Sequence, residues 1–134
     1  MTKTGMAGMV GVVLWLVAQI VLAQVYPARP IRIVVPFPPG GASDVTARML
    51  ADKFASSWGA NVVVDNRTGA SGIIGTEIVA KAAPDRYTLG FVALNFAINP
   101  SIHKLPYDAN KDFTFIAVVA SNPLALVVNN NVPA

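Results

Sequence analysis

Three short segments of this chain carry residue types suited to holding an anion through the backbone rather than through a charged side chain. The first is Pro36-Phe37-Pro38-Pro39-Gly40-Gly41-Ala42-Ser43-Asp44, between an apolar run and a helical pattern. Glycines at such a junction let the backbone approach a ligand. The helix start adds N–H groups without partners and a partial positive charge. The alternative use is a tight turn in which Ser43 or Asp44 caps the helix and nothing is bound. The second segment, Asn66-Arg67-Thr68-Gly69-Ala70-Ser71-Gly72 and on to Gly75, also joins a strand pattern to a helix pattern. Arg67 could clamp an anion, but an ion pair with Asp65 or Asp85 is the commoner use of such an arginine. The third segment is Ala93-Leu94-Asn95, where the asparagine could bond a ligand or cap the next turn.

Other chemistries find little support. No Lys-Ser/Thr follows the glycines, so there is no P-loop, and the dinucleotide spacing G-x-G-x-x-G is missing. His103 is the single histidine and has no acid at helical spacing, which argues against a triad or a metal site. Ser43 and Ser71 lack the G-x-S-x-G elbow. The seven acids are dispersed rather than paired. These features predict a binding protein, not an enzyme, with no cofactor and no metal. The formal charge of +3 is spread along the chain without a basic patch, which argues against nucleic acid. There are no cysteines, and the redox compartment is not indicated.

The elements that must position these segments follow from patterning. Ile31–Phe37 reads as a strand whose apolar run is too continuous for one-sided burial, as in a central strand covered on both faces. A helix is expected at Ser43–Trp58, with Met49, Leu50, Phe54 and Trp58 at helical spacing and Gly59 closing it. A second strand is expected at Asn61–Asp65. A helix at Ile73–Ala82, presenting Ile74, Ile78 and Ala82, and a third strand at Tyr87–Val92 follow. Strand, glycine turn and helix, repeated, predict an α/β fold with a mainly parallel sheet flanked by helices. Further on, one helical turn is expected within Asn95–Ile102, a loop over Lys104–Asp112, and strands at Phe113–Ala120 and Leu124–Asn129.

The first 23 residues have another logic. Lys3 precedes an apolar stretch from Met6 to Ala23 in which Gln19 is the only strongly polar residue, and Val21-Leu22-Ala23 suits a signal peptidase. Residues 1–23 are therefore expected to be a cleaved secretory signal directing the protein to the periplasm. An uncleaved membrane anchor is the alternative.

Taken together, the segments resemble one family. The stretch from Tyr26 through Pro36-Phe-Pro-Pro-Gly-Gly41 to Asp44 is similar to the start of mature Bug-type proteins, the substrate-binding components of tripartite tricarboxylate transporters. The segments Val62–Gly75, Ala80–Leu89, Ile98-Asn-Pro100 and Leu105–Phe113 continue the match in order. The resemblance implies a periplasmic-binding-protein-like fold of two lobes closing on a small carboxylate, working with membrane subunits and monomeric. It places the ligand carboxylate at backbone groups of Phe37, Pro38, Gly40, Gly41, Ser43 and Asp44, and of Ala70, Ser71, Gly72 and Ile73. Ala93, Leu94 and Asn95 would help to select the substrate. It also implies a considerably longer mature protein, so residues 24–134 are expected to be a partial first lobe of a truncated product, with the second lobe absent. A sensory binding protein or a gene remnant are alternative readings. One departure is Arg86, where the family usually has glycine. A rearranged turn is expected there, because arginine does not take a positive φ freely.

Overall fold

A computed structural model describes residues 26–121 together with Val127 and Asn129. The expected signal segment 1–23, and most of the strand expected at Leu124–Asn129, lie outside the described residues. Three strands form one parallel sheet in the order β2-β1-β3: β1 (Ile31–Val35), β2 (Val62–Asn66) and β3 (Thr88–Gly90). Helix α1 (Ala42–Trp58) joins β1 to β2. A 3-10 turn (Ala70–Gly72) and helix α2 (Ile73–Ala80) lead to β3, and helix α3 (Leu94–Ile102) follows.

β1 is the centre. Its pairs Ile31–Val62 and Ile33–Val64 on one side, and Ile33–Leu89 on the other, set the register. Ile31, Ile33, Val34 and Val35 are all buried although they alternate between faces, so both faces are covered. Ile33 and Val35 pack on Ala47 and Ala51 of α1, with Phe37, Phe54, Val62, Val64, Leu89 and Phe91 closing the edges. Helix α2 lies against β1 and β3. Right-handed crossovers to opposite sides of β1 put α1 and α2 on opposite faces of the sheet. The chain thus reverses its lateral direction at β1, and ligands of open α/β sheets bind at the carboxyl ends of strands at such a point.

Several expectations are corrected. β1 stops at Val35, before Pro36, which has no N–H to give the ladder. Met49 is 65% exposed, while Ala47 and Ala51 are buried, because a helix lying flat on a sheet favours small residues at the contact. Ile74 is likewise exposed, and Gly75 and Thr76 form the buried part of α2. α3 is a nine-residue helix with Pro100 inside it rather than a single turn. Phe113–Ala120 forms no strand: Phe115, Ile116 and Val118 are exposed, and β-branched composition without a neighbouring strand makes no ladder.

Arg86 shows the opposite of the expected rearrangement. Arg86 itself adopts the left-handed conformation (φ 69°). Tyr26 Oη donates to the Arg86 carbonyl at 2.9 Å, and Tyr87 N–H donates to Asp85 Oδ1 at 3.0 Å, which together hold the turn. Since a side chain in that region costs about 1–2 kcal/mol relative to glycine, Arg86→Gly is expected to stabilise the chain by about 1 kcal/mol after the greater entropy of an unfolded glycine is subtracted. Urea unfolding of the two proteins side by side measures this.

Candidate functional site

Because the strands are parallel, the three loops leaving their carboxyl ends (36–41, 67–72 and 91–93) open on one rim of the sheet. Four side chains fasten that rim together.

Asp44 organises the first turn. It lies in the first turn of α1, is 3% exposed, and is surrounded by donors. Its Oδ2 accepts from Gly40 N–H at 2.8 Å and from Arg48 Nε at 3.0 Å, and its Oδ1 accepts from Asn66 Nδ2 at 3.0 Å. The Arg48 guanidinium first, then the Gly40 and Asn66 hydrogen bonds, hold the Asp44 carboxyl down at about 2 against the opposing effect of burial. Neither Ser43 nor Asp44, the two capping candidates, is the N-cap. Gly41 takes that position in extended conformation, without a side-chain cap, and Asp44 reaches back past it to Gly40. The Val45 N–H bonds the Gly41 carbonyl at 2.9 Å, so the N–H groups of Ala42, Ser43 and Asp44 have no partner within the helix.

Asn66 ends β2 and joins the first turn to the second. Its amide nitrogen donates both to Asp44 and to the Phe37 carbonyl at 3.0 Å, and its Oδ1 accepts from Arg48 Nη2 at 3.2 Å. The polar atoms of its amide are all used. Of the expected first-turn residues, Phe37 therefore packs its ring against the core and has its carbonyl taken, Gly40 has its N–H taken, Asp44 is buried, and Pro38, Gly41 and the half-buried Ser43 line the outer turn.

The second turn is unusual in its backbone. Gly69, Ala70, Ser71 and Gly72 have φ of 126°, 46°, 55° and 85° in succession. Glycine occupies the two outer positions at little cost, but Ala70 and Ser71 each pay about 1–2 kcal/mol. Strain of this kind persists where surrounding contacts impose it, and it clusters at binding sites. Ala70 and Ser71 are exposed, whereas Gly72 is buried against Pro36: a Cβ there would lie 3.3 Å from Pro36 Cβ. The Ile73 N–H closes the turn onto the Ala70 carbonyl.

The third segment meets the second. Ala93 is the N-cap of α3, and Leu94 is 62% exposed. Asn95 neither caps this helix nor stands free. Its Nδ2 donates to the Ser71 carbonyl, where Asn99 Nδ2 also donates at 3.1 Å. The 67–72 loop is thus tied to the first turn through Asn66, which precedes it, and to α3 through Asn95 and Asn99.

The arginines that flank these turns are occupied. Arg48 pairs with Asp44, and Arg67 with Asp65 at 3.0 Å, while Asp85, the other partner considered for Arg67, pairs with Arg29. Burial pushes the Asp65 carboxyl up, but hydrogen bonds from Arg32 and Arg67 outweigh it and leave the group below the usual carboxylate range. A depression of about 430 Å³ lined by Pro30, Arg32, Val63, Asp65 and Arg67 follows the β1–β2 side and takes only Arg67 from the rim loops.

Asn99 and Arg48 were not among the expected site residues, and Asn66, though it opens the second segment, was assigned no role. Two of them had a local signal: Arg48 stands four residues after Asp44, and Asn99 four after Asn95, so each pair shares a helix face.

Comparison with known proteins agrees with this geometry. The family model described as tripartite tricarboxylate transporter family receptor matches residues 46–134. Protein BugT of Bordetella pertussis is 46% identical over 119 residues, a match covering 84% of this chain and 36% of that protein. A solved structure described as a periplasmic transporter superposes with a TM-score of 0.61 at 41% identity, over 63% of this chain and 29% of that one. MatC from Rhodopseudomonas palustris with bound malate superposes with a TM-score of 0.58 at 35% identity, over 66% of this chain and 31% of that one. The chain spans about a third of the length of the curated relatives it matches.

Proposed function

The chain belongs to the tripartite tricarboxylate transporter receptor family, and from that premise we propose that it recognises a small carboxylate in the periplasm and serves membrane subunits of a transporter. The carboxylate is held between the helix start at Gly41–Ser43 and the left-handed turn at Ala70–Ile73, through those N–H groups that the turns do not themselves bond, rather than a cationic side chain. Ala93, Leu94 and Asn95 flank the far end of the ligand and contribute to its selection; the exposed Leu94 favours a less polar acid there.

One observation carries this reading. Two glycine turns on adjacent parallel strands are locked together by Asn66, with the nearby Arg48 and Arg67 already paired. Helix starts so arranged attract an anion by dipole and by unpaired N–H groups. The likeness to a malate-bound family member supports the carboxylate class.

The test is a thermal-shift screen of the folded chain with malate, succinate, citrate and benzoate, each against its uncharged amide. An acid present at a hundred times its Kd stabilises the folded state by about 2.7 kcal/mol, which is several degrees in Tm. The amides should give no shift. A folded sample that responds to none of the four acids contradicts the proposal.

A further inference from the structure

We propose that Asn99 is a positioning residue for the ligand turn: with Asn95 it grips the Ser71 carbonyl and thereby holds Ala70 and Ser71 in the left-handed conformation that presents the 70–73 backbone to an anion. The inference rests on the reading above for its consequence in binding, but its structural half stands alone.

Two non-glycine residues in succession at positive φ require something to hold them. Within the turn, the Gly72 N–H bonds the Gly69 carbonyl at 2.9 Å and Ile73 N–H bonds that of Ala70. The first of these bonds engages the peptide between Ser71 and Gly72 by its N–H edge; the other edge is the Ser71 carbonyl, whose direction sets the conformation at Ser71. That carbonyl receives both asparagine amides, from residues one helical turn apart on α3. An exposed turn is thus held from its inner side by a helix that follows the third loop.

The two asparagines differ in how they do it. Asn95 donates to Ser71 while its own Oδ1 is buried without a partner, so its orientation is dictated by the donor at the expense of the acceptor. Its side chain also fills the space where a Cβ on Gly72 would sit, 2.6 Å away. Asn99 is 2% exposed, among the most deeply buried side chains described. A buried amide is retained where it satisfies a particular polar group, and here that group is the Ser71 carbonyl. Asn99 is accordingly the firmer of the two holds.

The experiment combines Asn99→Ala with Ser71→Gly, singly and together, and measures binding of malate, succinate and citrate by calorimetry alongside Tm. Asn99→Ala is expected to weaken the acid that binds the parent by about tenfold, the scale of one lost hydrogen bond to a buried group. Glycine takes the conformation of Ser71 unaided, so in the Ser71→Gly background the same substitution should cost about twofold or less. Equal losses in both backgrounds would mean that Asn99 only fills space, and parent-like binding by Asn99→Ala would also overturn the proposal. Asn99→Asp keeps the volume but sets an anionic oxygen against the Ser71 carbonyl. Its affinity relative to the parent should be low at pH 7 and recover towards pH 4, as the carboxyl regains a proton to donate. If the parent itself binds none of the three acids, the carboxylate reading fails. The positioning claim is then decided by Tm alone: Asn99→Ala must lower it less in the Ser71→Gly background, and equal falls would refute it.

Discussion

Gly75→Ala is expected to lower the free energy of unfolding by about 1–2 kcal/mol and to abolish the stabilisation given by carboxylates. Gly75 has an ordinary helical backbone, so conformational freedom is not the issue; space is. A methyl group there would lie 2.6 Å from the Arg67 carbonyl oxygen, 2.8 Å from Pro36 Cβ and 3.0 Å from Pro36 Cα. None of these can swing away, since one is a proline ring and the other two are main chain. Overpacking of this kind costs about 1–3 kcal/mol, and alanine's better helix propensity returns up to about 1 kcal/mol. The relief available is for α2 to move off the end of β1. That carries the 70–73 turn away from the first turn, so the effect on binding should exceed the effect on stability. Gly40→Ala makes the contrast, because Gly40 has positive φ but nothing within 4 Å of a new Cβ. It should lose stability from backbone strain, about 1–2 kcal/mol, with the spacing of the two turns unchanged. Urea unfolding and malate titration of both variants settle the matter. A Gly75→Ala protein that binds as the parent does would show that the turns need not be this close.

The frame of the site was legible in the sequence because its signals are local. The unbroken apolar run of β1 announced two-sided burial, and the glycine turns after successive strands announced a common rim. What was not legible depends on distant partners. Asn66 bonds the Phe37 carbonyl across 29 positions and Asp44 across 22, and Asn99 reaches Ser71 across 28. Nothing in an asparagine's neighbourhood says which distant carbonyl it will meet, so the bonds that hold the rim together were read as loop composition. The face of α1 was misread for a different reason. Apolar size suggested Met49, but close contact with a sheet selects Ala47 and Ala51, and the larger residue was left in water. Phe113–Ala120 has strand composition, yet composition cannot supply the neighbouring strand on which a ladder depends. At Arg86 the expectation failed because a non-glycine residue takes the left-handed conformation and carries its strain.

Asp44→Asn is expected to destabilise the chain at neutral pH by several degrees in Tm, and to remove an acid-dependent part of its stability. Three donors converge on this carboxylate: the Arg48 guanidinium, the Gly40 N–H and the Asn66 amide. An asparagine must turn its own NH2 group towards at least one of them, donor against donor, so the change is chemically larger than its shape suggests. Loss of an acceptor at a helix start acts on this scale in a domain of this size. The pH dependence follows from the sign of the shift. The folded-state pKa is held at about 2, below the ordinary 3.8, so the unfolded chain binds the proton more readily. Stability from Asp44 is therefore fully present above about pH 4 and is lost as the pH falls through about 2. Parent and variant should differ most at pH 7 and converge towards pH 2, with the difference narrowing mainly below pH 4. Asp65, Asp85 and Asp108 are also held below the ordinary value and contribute acid sensitivity of their own, but equally in both proteins, so the difference between the two curves isolates Asp44. Thermal midpoints measured across that range provide the check. A gap that stays constant from pH 7 to pH 2 would mean that the Asp44 carboxylate does not hold the first turn by its charge.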